Sequence, residues 1–497
     1  MAISAAHSPG SSRTFCPQQR RRFVLVAAIL ASSMAFIDGS VVSIAMPSLM
    51  ADLDASLGQA IWINNAYMLP LSALILVGGA LGDVYGQRIS FIAGIGIFVA
   101  ASALCAFATN AEFLIIARAL QGIGAAVMVP GSLAILAKAY PKEERGAAIG
   151  TWAAASAITT ALGPLIGGFL LQTFGDAAWR LIFAINLPIG ALALYLLWAM
   201  VPDDEADGGR VPDWIGAGLV TVSLLILAYG LAAPEGGEHT VPSVAQILTY
   251  AGAAAIVFAG FIVWEMRAKA PMVPLGLFRS STFSGANMLT FSLYFGLSAV
   301  LFFLPITMID AWDIPQGQVA LAFLPISAAI GLLSSYAGKL SDRHGPGPII
   351  AAGSLLVGVA YAGMALLAPL QSFWISVVPF MVLSAIGMAG VVSPLSAAVM
   401  MAIDDANTGT ASGVNNAVSR VAGLFAVALM GLLAAIVYNA SVGIEPGDYG
   451  LRDQAADLEA HATAMTSAFQ AVAGVAAALS LISAVVAWVT IRRQGEA

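Results

Sequence analysis

The chain has 497 residues, of which 60% are hydrophobic and only 9% are charged. A soluble protein carries about a quarter charged residues, so this composition excludes an ordinary soluble domain and indicates an integral membrane protein. The net charge of −7 is spread over the polar loops, which argues against a surface that binds nucleic acid.

The chain begins with a polar segment, residues 1–22, which ends in three arginines and precedes an apolar run from Phe23. A charged segment before an apolar run is also typical of a cleaved signal peptide. Here, however, the run continues through Asp38 to Pro47 without a small-residue cleavage site. We therefore expect residues 1–22 to form a cytoplasmic tail and residues 23–47 to form the first membrane-spanning helix.

Apolar runs long enough to cross a bilayer, about 20 residues each, recur along the whole chain. They predict an all-α membrane bundle with about 14 spans, near residues 23–47, 60–80, 89–109, 112–137, 147–171, 180–201, 214–232, 244–265, 283–308, 319–337, 348–369, 372–400, 410–438 and 466–491. The predicted domains are an N-terminal six-helix half at 23–201, an acidic loop with two inserted helices at 202–270, a C-terminal six-helix half at 271–491 and a cytoplasmic tail at 492–497.

Lysine and arginine residues gather on one side of this predicted topology. Of the 20 basic residues, only Arg180 and Arg452 fall in loops on the opposite side, while Arg118 and Arg420 lie inside spans. Cytoplasmic loops are enriched in lysine and arginine. We therefore expect a multi-pass protein of the cell inner membrane with both termini in the cytoplasm.

A short motif, G-x-L-x-D-x-x-G, occurs at residues 79–86 and 338–345, each time in the turn between two spans. Its recurrence indicates an internal duplication, as in many secondary transporters. Glycine permits a tight turn, and aspartate can cap the N-terminus of a helix. We predict that these turns gate a rocking motion, and a static turn is the alternative. The predicted gating residues are Gly79, Asp83, Gly86, Arg88, Gly338, Asp342, Arg343 and Gly345.

Asp38 lies midway along the first span, and no other acidic residue is so central in any span. An ionised carboxylate at that depth costs several kcal/mol unless water or a partner compensates for it. We therefore predict that Asp38 loads and releases protons, and a structural hydrogen bond to a neighbouring helix is the alternative. Arg118 and Arg420 stay charged at any relevant pH, so each needs an anion, carbonyl groups or water. Either arginine could instead serve only to hold helices together.

Four ordered motifs resemble those of the major facilitator superfamily and, within it, the fourteen-span drug:proton antiporters. The first span contains I-D-G-S-V-V-S-I-A-M-P from Ile37, similar to L-D-x-T-x-x-N-x-A-L-P. The fourth contains R-A-L-Q-G-I-G-A-A from Arg118, similar to R-x-x-Q-G-x-G-A-A. The fifth contains G-P-L-I-G-G from Gly163, similar to G-P-x-x-G-G, and W-R-L-I-F-A-I-N-L-P from Trp179 resembles W-R-W-I-F-x-I-N-x-P.

This resemblance implies two six-helix halves around a central cavity, with two inserted helices, that work by alternating access. It also implies that Arg118 takes part in proton coupling with Asp38. The fifth span would contain a bend that controls leakage during antiport, although close helix packing would use the same residues. That bend would be formed by Gly163, Pro164, Gly167 and Gly168.

Aromatic residues of the ninth span and polar residues of other spans are the candidates for a substrate cavity. Such aromatic side chains could hold lipophilic cations or neutral drugs, and they could equally face lipid or the core. We interpret Asp310, near the outer end of the ninth span, as a solvated acid rather than a cation site. The predicted cavity residues are Asn65, Tyr67, Gln121, Tyr294, Phe295 and Arg420.

The sequence contains no nucleotide-binding loop, catalytic-triad order or dinucleotide fingerprint in a suitable context, so we do not expect an enzyme. The 4 histidines lie in tails or loops, so we expect neither a metal nor a cofactor. The predicted function is proton-coupled efflux of a small hydrophobic compound by a monomer, with substrate, protons and the lipid bilayer as partners.

Two alternatives remain at this point. An exporter of a specific polar metabolite, such as a sugar, an amino acid or a siderophore, would need more polar cavity groups, and Asn65, Asn415 and Asn416 leave room for that interpretation. A transport-inactive membrane sensor would be expected to carry a sizeable soluble output domain, and the sequence shows none.

Overall fold

The computed structural model describes residues 15–204, 213–232, 244–269, 271–403, 408–442 and 458–491. Within these ranges the regular structure is helical, so the predicted all-α fold is confirmed. Most of the predicted N-terminal tail, most of the acidic loop and the C-terminal tail lie outside the described residues. The side chains of Asp83 and Asp342 also lie outside what is described.

The helices are grouped by the predicted halves and the predicted inserted pair, and this division into domains stays a prediction. The first half contains α1 (Gln18–Leu53), α2 (Leu57–Tyr85), α3 (Gln87–Ala106), α4 (Ala111–Ala139), α5 (Lys142–Phe174), α6 (Trp179–Ala184) and α7 (Asn186–Tyr195). The inserted helices are α8 (Trp214–Ala232) and α9 (Val244–Arg267). The second half contains α10 (Ser281–Ile306), α11 (Gln316–Leu321), α12 (Leu324–His344), α13 (Pro346–Leu367), α14 (Val378–Met401), α15 (Thr408–Val442) and α16 (Leu458–Thr490).

Each predicted span coincides with a helix or with two consecutive helices. Among the described residues, 12 helical segments are long and apolar enough to cross a membrane. Shorter apolar helices at Leu162–Phe174 and Trp214–Gly230 occupy the fifth and seventh predicted spans. Helices α6 and α7 share the sixth span, and α11 and α12 share the tenth. The chain is therefore a multi-pass membrane protein.

Several helices extend beyond the predicted spans. Helix α1 begins at Gln18 rather than at residue 23 and ends at Leu53 rather than at residue 47. Apolar runs mark only the hydrocarbon core, whereas a helix can continue into the headgroup region, where polar side chains are hydrated. The last residues of the predicted N-terminal tail are therefore helical.

The duplicated turns have the same backbone geometry in both halves. Gly86 joins α2 to α3 with a φ of 94°, and Gly345 joins α12 to α13 with a φ of 82°. Glycine adopts this left-handed conformation without the steric cost that other residues carry. The final glycine of each motif is therefore explained by the turn itself.

The inserted helices lie beside the seam between the halves. Helices α8 and α9 pack against each other, and α8 also packs against α2 of the first half and α15 of the second. A small apolar cluster fills this three-way contact, and its buried members are Leu69, Ala73, Leu224, Ala228 and Leu424. The insertion therefore covers one side of the seam.

The halves also meet where α1 and α5 end and α11 begins, which we call the distal end. Helix α5 packs against α11 and α12, and α1 packs against α10. Gln316 Nε2 donates a hydrogen bond to Ser48 Oγ at 2.7 Å. A Cβ added at Gly168 would lie 2.7 Å from the Ala320 Cβ, so α5 and α11 are in direct contact. The two halves are thus joined at the distal end.

Candidate functional site

Asp38 lies near the middle of α1 and is 1% exposed. Its Oδ2 accepts a hydrogen bond from Arg118 Nη1 at 2.6 Å, and its Oδ1 accepts one from Gln121 Nε2 at 2.9 Å. Both donors belong to α4 and are three residues apart, so they lie on the same face of that helix. The two residues predicted to couple protons therefore form one buried ion pair.

Arg118 is also 1% exposed, and its guanidinium is surrounded by groups that replace water. Nη1 donates to Gln121 Oε1 at 2.7 Å, and Nε donates to the Ile63 carbonyl at 3.2 Å. The guanidinium carbon lies 4.3 Å from the ring centroid of Tyr67 and 5.6 Å from that of Phe183. A carboxylate, a carbonyl and aromatic faces together compensate for the loss of hydration.

Glycine brings α4 close enough to α2 for these contacts. A Cβ added at Gly122 would overlap with the backbone carbonyl of Tyr67. The absence of that atom lets the two helices touch at the level of the ion pair. The glycine of the Q-G pair in the fourth span therefore places Arg118 and Gln121 against their partners.

Gln121 extends the ion pair into a network of buried polar groups. Its Nε2 also donates to Ser102 Oγ at 3.0 Å, and Asn186 Nδ2 donates to the same oxygen at 3.3 Å. Cys105 Sγ lies 3.7 Å from Gln121 Oε1. Sequence reasoning did not select Ser102 or Asn186. Asn186 does stand in the motif that begins at Trp179, and this motif was the available signal.

Two buried amide groups, one inside this network and one outside it, have polar atoms left over. Asn65 is 1% exposed and its Nδ2 has no hydrogen-bond partner among the described residues. Asn186 is also 1% exposed, and its Oδ1 likewise has none within that part of the chain. Buried polar atoms are usually satisfied by protein or water.

The predicted cavity residues of the second half do not all have the same surroundings. Arg420 lies on α15, which packs against α2, the helix of Tyr67, and against α10, the helix of Tyr294. Phe295 is 5% exposed and belongs to the hydrophobic core, where its ring centroid lies 6.1 Å from that of Phe291. Tyr67, which is 2% exposed, also belongs to an apolar core cluster. The structure thus places Tyr67 and Phe295 in the core.

Helix α5 runs unbroken through Pro164 and packs tightly against α1. A Cβ added at Gly163 would overlap with Ser40 Oγ, and one added at Gly167 would overlap with Val41. Both contacts lie within a turn of Asp38. Close packing therefore explains these two glycines, and the predicted control of leakage stays a prediction.

The first duplicated turn contains an acidic partner that sequence reasoning did not select. Asp204 accepts hydrogen bonds from the backbone N–H groups of Gln87 at 2.8 Å and Arg88 at 2.9 Å, so it caps the N-terminus of α3. Lys138 Nζ lies 3.1 Å from the same carboxylate. Asp83 lies in the last turn of α2, so it does not occupy the capping position that its motif suggested.

Arg88 is anchored to the end of the first half. Its side chain forms an ion pair with Asp203 and donates to the backbone carbonyls of Leu197 and Trp198, each at 2.9 Å. Arg343 of the second turn is exposed. The two turns are therefore unequal in their surroundings. Elsewhere in the described chain, no group of three or more histidine, cysteine or acidic residues could hold a metal ion.

Comparison with known proteins places this arrangement in a family. The family model of the Major Facilitator Superfamily matches residues 28–427 and 287–497. The chain is 32% identical over 414 residues to the methylenomycin A resistance protein of Bacillus subtilis (strain 168), covering 82% of this chain and 87% of that protein. It is 30% identical over 434 residues to the tetracenomycin C resistance and export protein of Streptomyces glaucescens, covering 86% and 78%.

A solved structure has the same fold at low sequence identity. A bacterial homolog of the human lysosomal transporter Spinster, in an inward-facing and unoccupied conformation, superposes with a TM-score of 0.70 at 17% identity, covering 97% of this chain and 100% of that chain. This likeness agrees with the fold. The family model and the relatives in sequence show that the chain belongs to the Major Facilitator Superfamily.

Proposed function

We propose that the protein exports small, largely hydrophobic compounds across the cytoplasmic membrane in exchange for protons. Two relatives are named for antibiotic resistance, and one of those names includes export. The single observation that carries the coupling is the buried ion pair between Asp38 and Arg118, with Gln121 bound to both. An acidic residue inside a membrane bundle is functional by default.

The ion pair supplies a simple proton switch. While Asp38 is charged, it holds Arg118 and Gln121 of α4 against α1. A proton that binds to Asp38 neutralises the charge that attracts Arg118 and turns one of the two carboxyl oxygens from an acceptor into a donor. Because these side chains join α1 to α4, gain or loss of the proton favours different packings of the same helices.

The proposed motion requires the halves to separate at the distal end. The distribution of lysine and arginine supports cytoplasmic termini, which would make the distal end extracellular. The hydrogen bond between Gln316 and Ser48 and the contact of Gly168 with Ala320 join the halves there. Release of the substrate to the outside would require these contacts to open while the cytoplasmic ends close.

The turns at Gly86 and Gly345 are the proposed gating elements on the cytoplasmic side. Asp204 and Arg88 fix the first turn to the end of α7 and to the loop that follows it. We expect the first turn to move with its own half as one body. The exposed Arg343 leaves the second turn free to form contacts in another conformation.

Transport into everted membrane vesicles tests the proposal. Vesicles that contain the protein are offered neutral, cationic and anionic aromatic dyes under an imposed proton gradient, acidic inside. We expect at least one dye to accumulate and to leave again when a protonophore collapses the gradient. Vesicles without the protein are the control. Accumulation that is unaffected by the protonophore would contradict proton exchange.

A further inference from the structure

Arg420 is a charged residue within α15 that the proposed proton switch does not use. Its Nε is buried and has no hydrogen-bond partner among the described residues. The ion pairs formed by that part of the chain involve Arg21, Arg88, Arg118, Lys138 and Arg180, and Arg420 is in none of them. A guanidinium that keeps its charge at this depth needs an anion, carbonyl groups or water.

Arg420 lies where a molecule between the halves would meet it. Helix α15 packs against α2 of the first half and α10 of the second. Tyr67 belongs to α2 and Tyr294 to α10, so Arg420 lies on a helix that packs against both of the helices that carry these tyrosines. The Tyr67 ring is also the one that Arg118 faces at 4.3 Å. Arg118 and Arg420 therefore lie on two helices, α4 and α15, that both pack against α2.

The charges of the two arginines are not balanced in the same way. Arg118 is matched by Asp38 at 2.6 Å. No other described acidic residue lies in the middle of a membrane-spanning helix, since Asp52 is near the end of α1 and binds Arg180, while Glu265 is near the end of α9. The centre of the bundle therefore carries one positive charge in excess.

We propose that Arg420 binds the anionic group of an amphipathic organic acid, and that such aromatic acids are the substrate class of this transporter. This inference rests on the proposed export function, because it names the substrate class of the same transporter. A carboxylate would form a charge-assisted pair with the guanidinium, and the aromatic body would lie against Tyr294 of α10. The excess positive charge disfavours the binding of lipophilic cations, a substrate class that the aromatic residues alone did not exclude.

The test uses probes that differ in charge and little else. Naphthalene and anthracene carboxylates are compared with their primary amides and their aminomethyl analogues. Binding to the purified full-length protein is measured at equilibrium by calorimetry at pH 7, without a proton gradient. We expect at least one acid to bind at least about tenfold more tightly than its amide, and the amine to bind most weakly.

Substitutions test whether Arg420 causes the preference for the acid over its amide. Arg420→Gln should abolish the preference for the acid, and Arg420→Lys should keep part of it because the charge remains. Arg279→Gln removes the same charge from an exposed residue before α10 and should change nothing. An acid preference that survives in Arg420→Gln overturns the proposal. If that variant does not fold, the wild-type ranking decides, because a wild type in which no acid outbinds its amide also overturns it.

The outcome is separable from that of the proposed function. Acid binding with this preference, combined with no gradient-driven accumulation of any dye, would reject proton-coupled export and leave the substrate class in place. Gradient-driven accumulation without any acid preference would reject the substrate class and leave export in place.

Discussion

Asp38 and Arg118 compensate for each other's charge inside the bundle. Removal of one partner of a buried ion pair leaves an isolated charge and typically costs about 3–5 kcal/mol. We therefore expect Arg118→Gln to lower the free energy of unfolding by about that amount. The double variant Asp38→Asn/Arg118→Gln should be more stable than Arg118→Gln, because it leaves no charge without a partner. Denaturant unfolding of the purified protein in detergent measures both.

The pair between Asp52 and Arg180 is the matched control, since its side chains are 26% and 33% exposed. Exposed ion pairs contribute about 0–1 kcal/mol, so Arg180→Gln should change the free energy of unfolding by no more than that. If Arg118→Gln and Arg180→Gln lowered the free energy of unfolding equally, burial would not explain the contribution of the Asp38–Arg118 pair to stability.

At the scale of helices, the contact between α1 and α5 depends on glycine. A side chain at Gly167 would meet Val41, so Gly167→Val should force the helices apart and lower the free energy of unfolding by about 1–3 kcal/mol. A Cβ at Gly150 of the same helix has no atom within 4 Å, so Gly150→Ala is the control and should be neutral or stabilising. Thermal unfolding of the three proteins compares them, and equal melting temperatures would contradict the packing role.

The N-terminus of α3 depends on Asp204, whose side chain is 1% exposed. Loss of a capping side chain typically costs about 0.5–2 kcal/mol, and Asp204→Ala should cost at least that because Lys138 also loses its partner. Neighbouring Asp203 has an 80% exposed side chain, so Asp203→Ala should change the stability little. Chemical unfolding measures both variants, and a greater loss for Asp203→Ala would rule out this assignment of the cap.

The sequence predicts the helices and the buried charges of Asp38 and Arg118. It does not predict the cap formed by Asp204 or the hydrogen bonds of Gln121. Spans are visible because each needs a long apolar run, and Asp38 and Arg118 stand out because charge is rare inside such runs. Asp204 is far from Gln87 in the chain, and no local pattern joins the two residues. Serine occurs in membrane-spanning helices without any recognisable sequence pattern. The hydrogen bond between Ser102 and Gln121 therefore becomes visible only from the packing of α3 against α4.

At the scale of the whole molecule, the distal end must open and close in each cycle. A cysteine pair at Ser48 and Gln316, joined by a short bis-maleimide, should hold the halves together there and abolish transport. The wild type, which keeps the native Cys16 and Cys105, is treated with the same reagent as the control. Transport into everted vesicles before and after cross-linking measures the effect. Full transport by a completely cross-linked protein would show that this contact does not open.

The central claim is that Asp38 carries the exchanged proton, and two transport assays on Asp38→Asn in proteoliposomes test it most directly. One assay measures substrate exchange at equal concentrations without a gradient, and the other measures uphill transport driven by a pH gradient. Asp52→Asn, which removes a carboxylate that is also paired with an arginine, is the control. We predict that Asp38→Asn keeps the exchange and loses the gradient-driven transport, while Asp52→Asn keeps both. Gradient-driven transport by Asp38→Asn at the wild-type rate would contradict the account.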